Sequence, residues 1–356
     1  MTIEVDIRKK CHHFTLTVQF QAGSERLGIL GASGCGKSMT LRCIAGVLLP
    51  DSGIIRINGK TVFDSKRRIN LPPQQRKAGL LFQHYALFPN MSVRDNLRIV
   101  IKDKPFSLRT ELAEKMLQKM RLTRLADAKP AKLSGGEQQR AAMGRMLLSS
   151  PEMLMLDEPL SALDSYLHSA VETELTSVLQ EFQKTKNGSV IFVSHHRDEI
   201  YRLCERIIVL QEGQITADGS RDDLFYRPGT VAAARLTGVK NIVPAAVISK
   251  EELWIPAWGL KLTTAHQLNS EITHIGIRAH HIQETEKETV NCFDCRTERI
   301  QSEPFRVHEH LFVSGGGTEH LVRFVSENTG WQVNSPPCSG VRRFFVSPEH
   351  VMPLRK

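Results

Sequence analysis

Gly31-Ala32-Ser33-Gly34-Cys35-Gly36-Lys37-Ser38 fits G-x-x-x-x-G-K-[ST], the pattern of a loop that wraps phosphate groups. Its flanks support that reading. The run Leu27-Gly28-Ile29-Leu30 predicts a short buried strand, and residues 39–45 predict a helix. A strand, a glycine loop and a helix start in succession aim backbone N–H groups at one point. The positive end of the helix dipole adds to them, so a di- or triphosphate is held there. Gly31, Gly34 and Gly36 permit the close approach that a Cβ would block. Ala32, Ser33, Cys35 and Met39 belong to the same cradle. Lys37 is expected to span the β- and γ-phosphates, and the Ser38 hydroxyl to bind Mg2+. Alone, the loop indicates a nucleoside triphosphate and nothing of what its hydrolysis drives.

A chain of 356 residues exceeds the usual single domain, so two domains are expected. Hydrophobic content of 41% and charged content of 24% are ordinary for a globular protein. No apolar run reaches the roughly 18 residues of a membrane span. The opening Met1-Thr2-Ile3-Glu4-Val5-Asp6 lacks the basic-then-apolar pattern of a secretion signal, and a cytosolic location is expected. The seven cysteines are scattered and odd in number, which in a reducing compartment means free thiols. Cys292-Phe293-Asp294-Cys295 is the one spacing suited to a metal. A structural zinc needs a second pair, however, and only Cys338 follows. The net charge of +9 is spread in small groups such as Arg8-Lys9-Lys10 and Lys66-Arg67-Arg68. No long basic stripe with interleaved aromatics marks a nucleic-acid surface, and an anionic membrane surface or acidic partner suits the charge as well.

Outward from the loop, residues 3–7 and 14–20 alternate apolar and polar, predicting two antiparallel strands. The turn between them, around Cys11-His12-His13, offers His12, His13 and Phe14 as candidates to stack on an adenine ring. Leu49-Pro50-Asp51-Ser52-Gly53 is a turn, residues 54–57 a strand, and Asn58-Gly59 a two-residue hairpin turn. Residues 76–83 read as a strand ending on the polar Gln83. Residues 92–125 read as helical with a break at Pro105. Helices at 165–184 and 197–204 alternate with strands at 189–193 and 207–210, and Glu212-Gly213 is a hairpin turn. This alternation predicts an α/β domain with a largely parallel sheet over residues 1–235. Past Gly238 helical periodicity fades. Short apolar runs at 241–248, 272–277, 306–313, 320–325 and 341–346 predict a small all-β domain, barrel or sandwich, over 238–356.

Two further motifs carry chemistry. Met153-Leu154-Met155-Leu156-Asp157-Glu158 is a buried strand ending in two carboxylates, which at a strand's C-terminal end lie beside the phosphate loop. Asp157 is then the Mg2+ carboxylate and Glu158 the group that polarises the attacking water. Ser134-Gly135-Gly136-Glu137-Gln138 opens a helix and forms a second anion site. Two phosphate-binding helix starts in one chain suggest that one of them serves a neighbouring molecule.

Leu133-Ser134-Gly135-Gly136-Glu137-Gln138 resembles the signature of ATP-binding-cassette ATPases. The phosphate loop, Gln83, the Asp157-Glu158 pair, Ser161-Ala162-Leu163-Asp164 and Ser194-His195 match the other family motifs in order. The resemblance covers residues 1–235. It implies a P-loop NTPase cassette with a helical subdomain, closing as a head-to-tail homodimer around two ATP molecules. It further implies that Ser134, Gly135 and Gly136 contact the γ-phosphate in trans, and that Asp164 helps bridge the subunits. Gln83 would sense Mg2+ and the attacking water, and His195 would contact the γ-phosphate. Glu158, His195 and Gln83 are thus the expected catalytic residues, with Ser38, Gln83 and Asp157 at the metal. His196 departs from the aspartate usual after the switch histidine.

Transport would then need separate transmembrane permease subunits and, indirectly, a periplasmic or extracellular solute-binding protein, with this chain at the cytoplasmic face of the membrane. In the importers it resembles, the segment after Gln83 forms a groove for a permease helix. Here that segment is His84-Tyr85-Ala86-Leu87-Phe88-Pro89-Asn90-Met91-Ser92-Val93. Residues 26–98, with Asn58-Gly59-Lys60-Thr61-Val62-Phe63-Asp64-Ser65 and Ile69-Asn70-Leu71-Pro72-Pro73-Gln74-Gln75-Arg76, look most like the ATPase subunits of molybdate importers. Sulfate, iron, polyamine and sugar importers share every catalytic residue, and a soluble cassette ATPase acting on nucleic acid is a different class. The tail, through Ile275-Gly276-Ile277-Arg278-Ala279-His280-His281-Ile282, resembles the barrel-like accessory domain of such importers, the TOBE/MOP type.

Overall fold

The structure is a computed structural model and describes residues 2–161, 165–302, 306–314, 322–327 and 340–356. Asp164, assigned above to the subunit bridge, and Cys338 lie outside the described residues. The chain divides into two compact units, Met1–Arg221 and Asp222–Lys356.

The first unit begins with β1 (Ile3–Lys10) and β2 (Thr15–Ala22), whose alternating burial is that of a half-buried antiparallel ribbon. Next come β3 (Arg26–Leu30) and α1 (Lys37–Ala45). Strands β4 (Ser52–Ile57), β5 (Lys60–Asp64) and β6 (Ile69–Asn70) follow. Asn58 (φ 52°) and Gly59 (φ 74°) supply the two left-handed residues that a tight β4–β5 hairpin demands. The short α2 (Pro73–Arg76) leads into β7 (Ala78–Leu81). The helical segment is α3 (Val93–Arg98), α4 (Phe106–Lys119) and α5 (Gly135–Leu148). Then β8 (Met153–Asp157), α6 (Ser165–Lys186), β9 (Val190–Ser194) and α7 (Arg197–Leu203) alternate. Strands β10 (Arg206–Gln211) and β11 (Gln214–Ser220) complete the unit.

The eleven strands form one sheet in the order β6-β5-β4-β1-β2-β11-β10-β3-β9-β8-β7. It is mixed rather than largely parallel. The block β10-β3-β9-β8-β7 is parallel, because helices carry the chain from strand to strand. The β6-β5-β4-β1-β2 block and the β10–β11 pair are antiparallel, because tight turns such as Asn58-Gly59 and Glu212-Gly213 can join only antiparallel neighbours. Every residue of β8 and β9 is buried, as expected of central parallel strands. In register, Leu30 pairs with Ser194 and Asp157 with Val193. The chain therefore leaves β3, β8 and β9 at one edge of the sheet, and the loop, Glu158 and His195 start there. The strand expected over 76–83 is shorter. Pro73, at the first helical turn, starts α2, which takes up Arg76 before β7 begins at Ala78.

The second unit opens with α8 (Arg221–Tyr226) and α9 (Val231–Leu236) and is otherwise all-β. Its strands are β12 (Asn241–Pro244), β13 (Ala246–Val247), β14 (Glu252–Ile255) and β15 (Leu260–Thr263), then β16 (His274–Ile277) and β17 (Ile282–Glu284). The rest are β18 (Cys292–Ser302), β19 (Arg306–Val313), β20 (Val322–Glu327), β21 (Val341–Val346) and β22 (Met352–Leu354). They form the sheets β12-β16-β22, β13-β14-β15 and β17-β21-β18-β19-β20 around Leu253, Ile255, Trp258, Ile277 and Phe344. This is the small all-β, barrel-like domain expected of the tail.

Candidate nucleotide site

Strand β3 delivers the loop and α1 receives it. Gly34 (φ 80°) and Gly36 (φ 111°) are left-handed, and a Cβ on Gly31 would stand 2.4 Å from the Leu210 carbonyl oxygen. Glycine is thus required at all three. The loop is braced from β10–β11, where Gly213 N donates to Cys35 O at 3.0 Å. Phe14 braces it too, since side chains on Gly36 and Gly213 would collide with or crowd the Phe14 ring. Phe14 is committed to packing, while His12 and His13 stay exposed with rings 6.4 Å apart.

Lys37 is only 4% exposed; its ammonium donates to Gly31 O at 2.8 Å and Ala32 O at 3.0 Å. Ser38 Oγ donates to Asp157 Oδ1 at 2.7 Å. Asp157 is buried at the end of β8, and that burial raises its pKa above the ordinary aspartate value against the pull of the Ser38 hydrogen bond. A buried carboxylate with a hydroxyl beside it is an oxygen donor set suited to a hard divalent cation. Mg2+ fits these residues.

Glu158 is where the separate motifs meet. Its backbone is left-handed (φ 46°), a conformation that costs a non-glycine residue about 1–3 kcal/mol and persists only where the surroundings impose it. Its N–H donates to Val193 O at 3.0 Å. Its carboxylate accepts from Gln83 Nε2 at 3.2 Å, lies 3.0 Å from His195 Nδ1 and 3.7 Å from Lys37 Nζ. Six residues expected at the site (Lys37, Ser38, Gln83, Asp157, Glu158 and His195) are thus joined by four contacts on one sheet edge. Three reach Glu158, and one runs from Ser38 to Asp157, the residue before it. Ser134, Gly135 and Gly136 are not joined to them. Ser134 caps α5 in a box with Glu137, accepting from Glu137 N at 3.4 Å and donating its own N–H to Glu137 Oε2 at 2.7 Å.

Two supports were missed in the sequence. Ser194 Oγ donates to the buried Glu199 at 2.7 Å and accepts from His196 N at 2.9 Å, while His168 Nε2 lies 3.0 Å from the same Glu199. This network fixes the turn that presents His195. An acidic residue in the first turn of α7 was its only sequence signal. Arg76, 2% exposed, donates to Cys43 O and Ile44 O at 2.9 Å each, to Leu71 O and to Asn70 Oδ1. A cation there satisfies the last carbonyls of α1 and opposes its dipole, so it anchors the helix that begins at Lys37. In the second unit, Cys292 and Cys295 stand three apart on β18 and so face opposite sides of the sheet, with Cys295 buried and its thiol pushed up to about 12 by that burial. They do not make a ligand pair. Among the described residues no group of three or more His, Cys, Asp or Glu side chains is placed to hold a metal.

The fold and this site define a phosphate-loop nucleotide cassette. Residues 14–161 match the ABC transporter family. The chain is 37% identical to the molybdenum import ATP-binding protein ModC of Paramagnetospirillum magneticum, over 64% of its own length and 61% of the relative's. It is 38% identical to the Fe(3+) ions import ATP-binding protein FbpC of Brucella abortus, over 69% of its own length and 68% of the relative's. A dimeric post-hydrolysis state of an ATP-binding cassette bound to ADP and Pi superposes at a TM-score of 0.53 and 26% identity, covering 62% of this chain and 99% of that one. The chain belongs to the ABC transporter family, as an ATP-binding cassette followed by an all-β domain.

Proposed function

We propose that the chain is the ATP-hydrolysing subunit of an importer for molybdate or a related oxyanion, working as a head-to-tail homodimer beneath separate permease subunits. The observation that carries the ATPase part is the convergence of Gln83, His195 and Lys37 on Glu158, beside the Ser38–Asp157 pair. In this reading the loop N–H groups and Lys37 hold the ATP phosphates. Ser38, Asp157 and Gln83 hold Mg2+, which screens phosphate charge when bound. Glu158 takes the proton of the attacking water, with Gln83 and His195 orienting its carboxylate and the water. Ser134, Gly135 and Gly136 complete the site on the partner cassette. Their side-chain and backbone placement at the start of α5 suits that role.

The importer part is supported by the import proteins to which the chain is similar. No helix among the described residues is long and apolar enough to cross a membrane. Likeness to an iron importer keeps iron as a second reading, and sulfate, polyamine or sugar uptake would use the same catalytic residues. ATPase assays on the chain reconstituted with its permease and binding protein test the solute. Stimulation by molybdate supports the proposal; stimulation by Fe3+, sulfate or a sugar but not by molybdate overturns it.

A further inference from the structure

The second unit holds a cavity of about 350 Å³, within the roughly 300–1,000 Å³ that small-molecule sites occupy. Arg227, His266, Gln267, Asn269 and Arg355 line its polar side, and Ile272, Met352 and Pro353 its apolar side. Stretches far apart in the sequence are stapled together to form it. Arg355 N donates to Gly229 O at 3.0 Å and Val231 N to Arg355 O at 2.9 Å, which ties the start of α9 to the end of β22. Thr264, 1% exposed, donates its hydroxyl to Val351 O at 2.8 Å and accepts from His266 N at 3.2 Å, which fixes the segment after β15. None of these bonds uses a cationic side chain. The exposed Arg227 guanidinium has no hydrogen-bond or ion-pair partner among the described residues. Arg355 has one, Glu271 at 3.2 Å, but both side chains are more than half exposed, and such a pair is worth little. Further positive charge stands close by. Burial, then the charges of Arg235 and Lys356, hold the imidazole of His274, the partner of Leu354 across the sheet, below its ordinary value.

We propose that this cavity binds a small phosphate monoester, its phosphate held by Arg227 and Arg355 and its organic part laid against Met352 and Pro353. A guanidinium fork matches two phosphate oxygens at a time, and a monoester offers enough oxygens for two such forks. His266, Gln267 and Asn269 add neutral hydrogen-bonding groups around them. A bare inorganic oxyanion would satisfy the arginines but leave the apolar side facing empty space. The ester is therefore favoured over phosphate or molybdate itself.

Calorimetric titration with phenyl phosphate tests this in the full chain carrying Lys37→Ala, which disables the phosphate loop of the first unit. Saturable binding with a Kd below about 1 mM is expected. Adding Arg227→Ala or Arg355→Ala should weaken it by about tenfold or more. Inorganic phosphate, molybdate and succinate should each bind at least about tenfold more weakly than the ester. Phenyl phosphate should also raise the unfolding midpoint read from tryptophan fluorescence, and lose that effect in Arg227→Ala. No saturable binding up to about 10 mM overturns the site, and so does binding undiminished by Arg227→Ala. Equal affinity for inorganic phosphate or molybdate overturns the ester, and equal affinity for succinate overturns the choice of phosphate. Should Arg355→Ala fail to fold, Arg227→Ala, which removes an exposed and unpaired side chain, decides alone.

Discussion

The two units use polar side chains to different ends. In the first, they converge: Lys37, Gln83 and His195 all reach the Glu158 carboxylate, and Ser38 reaches Asp157. In the second, they tie one strand to the next. Asn291, left-handed at φ 63°, pins β15 to β21 through Thr263 N, Thr263 O and Val346 O. Arg342 ties Glu309, Thr297 and Glu284 together, and Arg343 pairs with Asp294. Convergence beside the phosphate loop marks chemistry, whereas ties from strand to strand mark architecture.

The largest effect should come from the convergent unit. Glu158→Gln is expected to lower turnover by about 10²–10⁴-fold while retaining ATP, because the amide keeps the shape but cannot take a proton. Steady-state ATPase set against equilibrium nucleotide binding checks this; undiminished turnover would move the base elsewhere. Arg76→Met should cost on the order of 3 kcal/mol, since it strips the last carbonyls of α1 of their buried donor. Denaturant unfolding followed by far-UV circular dichroism measures that loss, with weakened ATP binding as its companion. In the other unit, Asn291→Ala should cost about 2–3 kcal/mol, from unpaired backbone groups and a left-handed alanine, yet leave basal ATPase alone. All three tryptophans (Trp254, Trp258 and Trp331) lie in that unit, so tryptophan fluorescence reads it separately. A drop in ATPase as large as that from Glu158→Gln would break the comparison.

The smallest effect is a pH dependence. His281 is stacked on His350 at 3.7 Å and lies 4.4 Å from His280. Burial, then the charges of His350, His280 and Arg278, bring its pKa from 6.5 down to about 4. The unfolded chain takes the proton first as pH falls, so this contribution to stability is full above about 6.5 and is lost between 6.5 and 4. The tryptophan-monitored midpoint should therefore fall over that window, and His281→Gln should flatten the fall. Equal slopes in both chains would remove His281 as its source.

The convergent unit was also the legible one. Its site residues sit at strand and helix ends, where glycines, carboxylates and spacing follow from phosphate chemistry, so Lys37, Asp157 and Glu158 could be read before any fold was known. Glu199 and Arg76 could not, because the contacts that give them their roles, to His168 of α6 and to the Cys43 and Ile44 carbonyls of α1, join residues far apart in the chain. In the second unit, β18 escaped notice because Arg296, Thr297, Glu298 and Arg299 break its apolar alternation around a bulge. The strands β14 and β15 are four residues each, too short for periodicity to register. The mixed sheet was hidden for a related reason: hairpin turns were recognised singly, without counting the antiparallel neighbours they impose.

In the proposed dimer, Gly31–Ser38 holds half a site that a second copy completes. This pairing is tested most directly by the solution mass of the Glu158→Gln chain with and without Mg-ATP. The account predicts a monomer without nucleotide and a dimer retaining two ATP with it, and no dimer when Ser134 is also changed to arginine. A chain that binds ATP with full affinity and stays monomeric would contradict it.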